Sequence, residues 1–157
     1  MCTWDELISA HYAKIYQFAF RYLGNAAEAE DVTQEVFLRA YELRGESLGR
    51  SQLRTWLYTV ARNRCIDHHR SLRRWAALLP ALSGTRPSVS SAEGSDLVQK
   101  LVSGLPRKQR EVFILRHWHG FSTKDTAEVV GVTEGTVKSQ LTRAVERLKK
   151  SLKREDF

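Results

Sequence analysis

The chain of 157 residues has a net charge of +7, and 42% of its residues are hydrophobic, which is enough for a packed core and argues against wholesale disorder. Its two cysteines, Cys2 and Cys65, are too few and too far apart to indicate a disulfide framework or a zinc site, and we interpret both as reduced thiols. No apolar run approaches the length of a membrane span and no signal peptide precedes Trp4, so we expect a cytoplasmic protein without membrane insertion.

The positive charge is concentrated in the C-terminal part of the chain. Residues 1–71 contain nine basic and nine acidic residues, whereas residues 96–157 contain thirteen basic and eight acidic ones. An excess of basic residues in one segment is typical of a surface that binds phosphate groups. The C-terminal part is therefore the first candidate for contact with nucleic acid.

Two helices are predicted at the N-terminal end. Apolar residues recur at helical spacing over residues 4–23, and Gly24 ends this helix. Asn25 and Glu28 have the spacing of a capping box, so a second helix is predicted to begin there and to run to about Leu43.

The second helix carries two stripes of side chains. Val32, Val36 and Ala40 form the face that we expect in the core. The other stripe follows the spacing i, i+3, i+4 and i+7 and is mainly acidic or polar: Asp31, Gln34, Glu35 and Leu38. By spacing alone, this second stripe fits a solvated face as well as it fits a face that binds a partner.

A third helix, predicted at about 52–74 after a loop at 44–51, is strongly basic. From residue 50 to residue 74, Asp67 is the single acid, set against seven arginines: Arg50, Arg54, Arg62, Arg64, Arg70, Arg73 and Arg74. Trp56 and Tyr58 lie among these arginines, with Asn63 nearby. Cations that bind phosphates, interleaved with rings on which unpaired bases stack, are typical of a surface for single-stranded nucleic acid. Trp56 by itself fits a core position better than a base platform.

Residues 75–95 are rich in proline, glycine and serine, which predicts a flexible linker. Beyond it, a helix is expected at 96–103, and Pro106 suits the first position of another helix at 106–117. The fold class is therefore all-α, with two small helical domains, 1–74 and 96–157, joined by the linker.

The segment 121–150 predicts a helix-turn-helix. Ser122 and Asp125 have the capping spacing, Gly131 ends the first helix, and Thr133 caps a second helix at about 133–148. One face of this second helix is apolar: Val137, Leu141, Ala144, Val145 and Leu148. The opposite face is small and polar, with Lys138 on its flank, and suits a DNA major groove: Gly135, Thr136, Ser139, Thr142, Arg143 and Glu146. The alternative is an ordinary helical hairpin with a solvated face.

Three segments, in their order along the chain, resemble bacterial RNA polymerase sigma factors, most closely the small two-domain extracytoplasmic-function (ECF) type. They are AEDVTQEVFLRAY at 29–41, LRTWLYTVARNRCIDHHRS at 53–71, and the stretch 105–150 that ends in the helix-turn-helix. The resemblance implies a first domain, region 2, that binds the β′ clamp of core RNA polymerase and opens the promoter −10 element. It implies a second domain, region 4, that reads the −35 duplex and contacts the β flap.

The resemblance also implies roles for individual residues. The stripe of Asp31, Gln34, Glu35 and Leu38 would bind polymerase. The basic and aromatic helix would read the −10 strand through Arg54, Trp56, Tyr58, Arg62 and Asn63. The second helix of the helix-turn-helix would read the −35 duplex through Thr133, Gly135, Thr136, Lys138, Ser139 and Arg143. No catalytic residue, metal or cofactor is implied, and an anti-sigma factor is an expected partner.

Two other function classes are open to test. A stand-alone dimeric helix-turn-helix regulator would use the same second helix, but nothing in the N-terminal half predicts a ligand pocket or a phosphoryl-acceptor domain, and such a regulator would bind its operator without polymerase. An enzyme with a metal bound by His68, His69, His117 and His119 is disfavoured, because these histidines have no neighbouring cysteine or paired carboxylates and lie on basic segments.

Overall fold

The computed structural model describes residues 4–43, 50–78 and 97–155, and within these ranges every regular element is a helix. This confirms the all-α class. The elements in chain order are α1 (Trp4–Leu23), α2 (Ala26–Glu42), α3 (Arg50–Leu78), α4 (Leu97–Ser103), α5 (Arg107–Phe113), α6 (Thr123–Val130) and α7 (Glu134–Glu155). A single π-helical turn, Ile114–Trp118, continues α5. None of these helices combines the length and the apolar character needed to cross a membrane.

Helices α1, α2 and α3 form the N-terminal bundle, in which each packs against the other two. The side chain of Asn25 accepts a hydrogen bond from the backbone N–H of Glu28 at 3.0 Å, so the predicted cap of α2 is present. Val32 and Val36 on α2 are fully buried, as their spacing predicted. They belong to the same core as Phe18 on α1.

Helices α4 to α7 form the C-terminal bundle. Ser122 caps α6 by accepting a hydrogen bond from the N–H of Asp125 at 3.0 Å. Gly131 ends α6 with a φ of 76°, a conformation that side chains with a Cβ rarely adopt. Its position sets the tight turn into α7, whose apolar face includes the fully buried Val137 and Ala144.

Several helix boundaries differ from the sequence prediction, most of all the end of α7, which was predicted at about residue 148 and lies at Glu155. Helix α3 was predicted to end at Arg74 but continues to Leu78, because residues 75–78 favour a helix and the next proline is Pro80. Pro106 was predicted as the first helical residue, but its ψ of 150° places it at the cap position, where its carbonyl accepts from the N–H of Arg110. The predicted linker from 79 to 95 and most of the predicted loop at 44–51 lie outside the described residues.

The two bundles pack against each other. Helix α3 lies against α6, and α1 lies against α4 and the π-helical turn. Three aromatic side chains at this junction are almost fully buried: Tyr22, Tyr58 and Phe121. The packing therefore joins the apolar interiors of the two bundles, and it decides which of the predicted functional surfaces are exposed.

Candidate nucleic-acid interface

The N-terminal end of α7 is built by a threonine cap. The backbone N–H of Thr136 donates to Thr133 Oγ1 at 3.1 Å, and the two threonine hydroxyls are 2.9 Å apart. With Val137 and Ala144 turned into the core, the opposite face points to solvent, as predicted. Its exposed members are Gly135, Lys138, Ser139, Thr142, Arg143 and Glu146, while Thr136 is half-buried.

The cations on this face are available for an incoming ligand. The hydroxyls of Ser139 and Thr142 donate to backbone carbonyls of their own helix, each at 3.0 Å. Lys138 and Arg143 form no ion pair with any residue that the structure describes. A free arginine fork on a face of small side chains can reach the edge of a guanine in a major groove.

The basic and aromatic face of α3 has the opposite environment, since it lies under the C-terminal bundle. Tyr58 is only 1% exposed, and its hydroxyl lies 2.8 Å from Nδ1 of His119. Its ring packs edge-on against Phe121, with ring centroids 4.6 Å apart, and against Phe18. Burial raises the pKa of Tyr58 to about 12. A base cannot stack on this ring while the bundles are packed.

The arginines beside Tyr58 are also engaged. Arg54 donates to the backbone carbonyl of His119, and its guanidinium lies over the Phe121 ring at 3.9 Å from the centroid. Arg62 donates from Nε to Glu111 Oε2 at 3.1 Å. Trp56 is partly buried against the core, so of the five residues predicted to read the −10 strand only Asn63 is exposed.

Glu111 is the centre of the junction. Its carboxylate is fully buried, accepts from the Tyr22 hydroxyl at 2.7 Å and pairs with Arg62. Burial and the neighbouring carboxylate raise the pKa of Tyr22, which stays a hydrogen-bond donor. Because removal of one member of a buried pair leaves the other uncompensated, we expect the packing of the bundles to depend strongly on Glu111.

The sequence prediction missed the residues of the C-terminal bundle that cover α3: Glu111, His119 and Phe121. One signal was present, because Glu111 is an acid that directly precedes the apolar residues 112–115. An acid in the buried part of a helix requires a partner, and α3 supplies an excess of arginines.

The stripe on α2 lies on the outer surface of the N-terminal bundle. Asp31 and Gln34 are exposed, and Leu38 is 66% exposed, which is unusual for a large apolar side chain in a small bundle. Glu35 has partners within the chain, since its carboxylate lies 3.7 Å from both Arg64 and His68 on α3. Leu38 also borders an apolar groove of about 500 Å³, lined by Ile8, Tyr12, Gln34, Phe37, Leu38 and Tyr41.

The four histidines of the metal hypothesis have other neighbours. His119 contacts Tyr58, His117 stacks on Phe113, and His68 faces Glu35. His69 lies beside Arg110 and the Tyr22 ring. In the part of the chain that the structure describes, no three histidine, cysteine or acidic side chains are grouped so that they could hold a metal ion.

Comparison with known families identifies both halves of the chain. Residues 7–75 match the model of Sigma-70 region 2, and residues 95–148 match that of Sigma-70, region 4. The ECF RNA polymerase sigma factor SigL of Mycobacterium tuberculosis is 38% identical over 154 residues, covering 93% of this chain and 86% of the relative. SigW of Bacillus subtilis, also an ECF sigma factor, is 32% identical over 165 residues, covering 94% of this chain and 88% of the relative.

Two solved structures share the fold. The sigma factor RpoE in complex with the anti-sigma factor NepR from Bartonella quintana has a TM-score of 0.75 and 26% identity, and the match covers 95% of this chain and 96% of that one. CnrH in complex with the cytosolic domain of CnrY has a TM-score of 0.72 and 22% identity, with 96% of this chain and 87% of that one covered.

Proposed function

The chain belongs to the ECF family of RNA polymerase sigma factors, and we propose that it binds core RNA polymerase and directs initiation at promoters by reading their −10 and −35 elements. One observation supports this most directly: regions 2 and 4 occur in one chain, in order, and each carries a face suited to the DNA that it would meet. The proposed domains are 1–74 and 96–157, with a linker at 75–95.

The −35 element is assigned to α7. Its exposed face combines small residues, which permit close approach to the groove, with the free cations Lys138 and Arg143. We assign direct base reading to Arg143, and phosphate or groove-edge contact to Lys138. Thr133, Gly135, Thr136 and Ser139 lie at the N-terminal end of the same helix and would approach the duplex with it.

The −10 element is assigned to α3. Arg54, Trp56, Tyr58, Arg62 and Asn63 would bind the non-template strand and a base flipped out of the duplex. In the packed arrangement Tyr58, Arg54 and Arg62 are occupied by the C-terminal bundle. This assignment therefore requires the two bundles to separate before the −10 strand binds.

The stripe on α2 is assigned to core polymerase. Exposed Asp31 and Leu38 together present a charge and an apolar contact beside a groove, a combination suited to a basic, partly apolar partner surface. The β′ clamp is the proposed partner for this stripe with Gln34 and Glu35, and the β flap for the C-terminal bundle. An anti-sigma factor is a further proposed partner, because the similar sigma factor RpoE was solved in complex with the anti-sigma factor NepR.

The polymerase supplies all the chemistry in this proposal. The protein would act in the cytoplasm as a binding factor, without enzymatic activity and without a cofactor. The alternative of a dimeric regulator that works without polymerase has no observation in its favour.

Run-off transcription with core polymerase on genomic fragments tests the proposal. We expect discrete transcripts that require this protein, and none with an Asp31→Ala, Glu35→Ala double variant, whose pull-down with polymerase should also fail. Helix content should be retained, because the loss of the Glu35 pairs with Arg64 and His68 costs about 1 kcal/mol or less at an exposed site. Arg39→Ala, an exposed charge on the same helix, is the matched control.

Two outcomes would contradict the proposal. If none of the genomic fragments gives a transcript that requires this protein, the proposed sigma-factor function is wrong. A double variant that binds polymerase with wild-type affinity would show that the α2 stripe does not bind polymerase and is an ordinary solvent-exposed face.

A further inference from the structure

A basic cleft lies at the junction of the two bundles, lined by residues of α3 and α5. Helices α3 and α5 form its walls, and the cavity has a volume of about 220 Å³. Its lining residues are Ile66, His69, Arg70, Arg73, Arg107 and Arg110. Helical periodicity could not predict this cleft, because two of its arginines lie on α3 and the other two on α5.

The charges in the cleft are poorly compensated. Arg70 and Arg73 are exposed and form no ion pair with any described residue. Glu111 is the carboxylate nearest to Arg107, at 3.9 Å, but it is shared with Arg62 and the Tyr22 hydroxyl. Four guanidinium groups around one small cavity repel one another, so the packed arrangement carries an electrostatic cost at this point.

Arg110 is held in place as a donor at the base of the cleft. It donates to the backbone carbonyls of Tyr22 at 3.1 Å and Leu105 at 3.0 Å, and its Nη1 lies 3.4 Å from His69 Nε2. Its Nε is buried and has no hydrogen-bond partner among the described residues. Burial and the charge of Arg110 lower the pKa of His69, as expected where positive potential accumulates.

We propose that this cleft is a binding site for a compact anion of two or three linked phosphate groups, such as those of a nucleotide or a short polyphosphate, and that the bound anion holds the two bundles together. Arginine forks bind phosphate oxygens in pairs, and a multiply charged ligand neutralises several of them at once. A cavity of about 220 Å³ corresponds to roughly seven waters at about 30 Å³ each, which admits such a phosphate chain but not a nucleic-acid duplex.

The site exists only while α3 and α5 are together, so the ligand binds the packed state and not the separated one. By mass action it shifts the population towards the packed state, in which Tyr58 and Arg54 are covered. The consequence for promoter opening rests on the proposed function, whereas the binding itself does not. The ligand would act as a negative effector of −10 recognition.

Isothermal titration of the full-length protein with sodium tripolyphosphate, at constant ionic strength, tests the site. We expect one bound ligand per chain and an affinity at least about tenfold lower in both Arg73→Ala and Arg107→Ala, since each removes a charge-assisted contact. Arg74→Ala is the matched control, because this exposed arginine is adjacent to Arg73 but does not line the cleft. It should bind as the wild type does.

Each other result would overturn the proposal. Equal losses in Arg74→Ala and Arg73→Ala would indicate non-specific attraction to a basic helix. Wild-type binding by Arg107→Ala would place the anion on α3 alone, as for a nucleic-acid backbone. If the wild type does not bind tripolyphosphate, the proposed anion site does not exist.

Glu111→Ala provides an independent arm. It keeps all four cleft arginines but removes the acid that joins the bundles, so we expect it to lose tripolyphosphate binding. If it binds as tightly as the wild type, the site does not depend on packing and the proposed regulation is wrong. No polymerase is present in these titrations, so a negative result contradicts the anion site alone. A negative result in the transcription experiment contradicts the proposed function.

Discussion

Helices α7 and α3 both carry a predicted DNA-binding face, but their environments differ. On α7 the cations Lys138 and Arg143 are exposed and form no ion pair with the residues that the structure describes. On α3, Tyr58 is almost fully buried, and Arg54 and Arg62 bind groups of the C-terminal bundle. In this arrangement the protein presents its proposed duplex reader and covers its proposed single-strand reader.

The difference agrees with the chemistry of the two proposed targets. A duplex is read from outside by a polar helix face, which is stable in water and needs no cover. A surface for unpaired bases needs flat rings and closely spaced cations, and the same groups pack well against another protein surface. Here Phe121 packs on Tyr58 and Glu111 pairs with Arg62, and both Tyr58 and Arg62 are among the residues proposed to bind the −10 strand. The cover and the proposed ligand therefore compete for the same side chains.

The largest effect is expected from Glu111→Ala, which tests whether α3 is covered by a specific contact. The change leaves Arg62 without its buried partner, and loss of one member of such a pair costs about 3–5 kcal/mol. We expect the bundles to separate, with a larger radius of gyration in small-angle X-ray scattering and tighter binding of a single-stranded −10 oligonucleotide. Unchanged circular dichroism would show that the helices persist.

The control for this experiment is Glu128→Ala, which removes an exposed acid from α6. It should match the wild type in both measurements. A Glu111→Ala protein with the wild-type radius of gyration and wild-type strand affinity would mean that the buried acid does not hold α3 under its cover.

The next effect concerns the open face of α7. Arg143→Ala should weaken binding to the −35 duplex by about 1–3 kcal/mol and relax the preference among sequences, because a bidentate guanine contact is lost. If Lys138 contacts a phosphate, Lys138→Ala should weaken the binding of all duplex sequences alike. It should also reduce the slope of log affinity against log salt concentration by about one. Electrophoretic shift assays at several salt concentrations would separate the two. An unchanged sequence preference in Arg143→Ala would show that another residue reads the bases.

The smallest effect is a pH dependence of the packing, centred on His119. Burial, and then the charges of Arg54 on α3 and of Arg21 and Lys14 on α1, lower its pKa from 6.5 to about 4. The packed state therefore favours the neutral ring. Its stabilising contribution is complete above about pH 6.5 and is lost as the pH falls towards 4.

Between pH 7 and pH 5 this linkage should lower the free energy of unfolding of the full chain by about 1–2 kcal/mol, measured by urea titration. His119→Gln cannot titrate and should show a smaller change over the same interval. His117→Gln is the control, because that exposed ring stacks on Phe113 away from Tyr58. A His119→Gln protein with the full pH dependence would assign it to other groups, such as His69, whose pKa is lowered in the same direction.

Much of the fold was predictable because its signals are local. Asn25 and Ser122 each bond a backbone N–H three residues away, and Gly131 ends its helix within one residue. The two faces of α7 were also predictable, since a helical period alone separates Val137 and Ala144 from Arg143. Boundaries without a strong local signal were less accurate, as the longer α3 shows.

The sequence by itself determined which residue types each helix carries, and hence that α3 suits unpaired bases and α7 suits a duplex. Only the tertiary structure decided which of these faces is exposed. The contacts that cover α3 join residues far apart in sequence: Arg62 and Glu111 are separated by 49 positions along the chain, and Tyr58 and His119 by 61. A periodic pattern reports on neighbours three or four residues away and carries no information about such pairs. The packing of the two bundles brings these residue pairs together, and it also forms the arginine cleft.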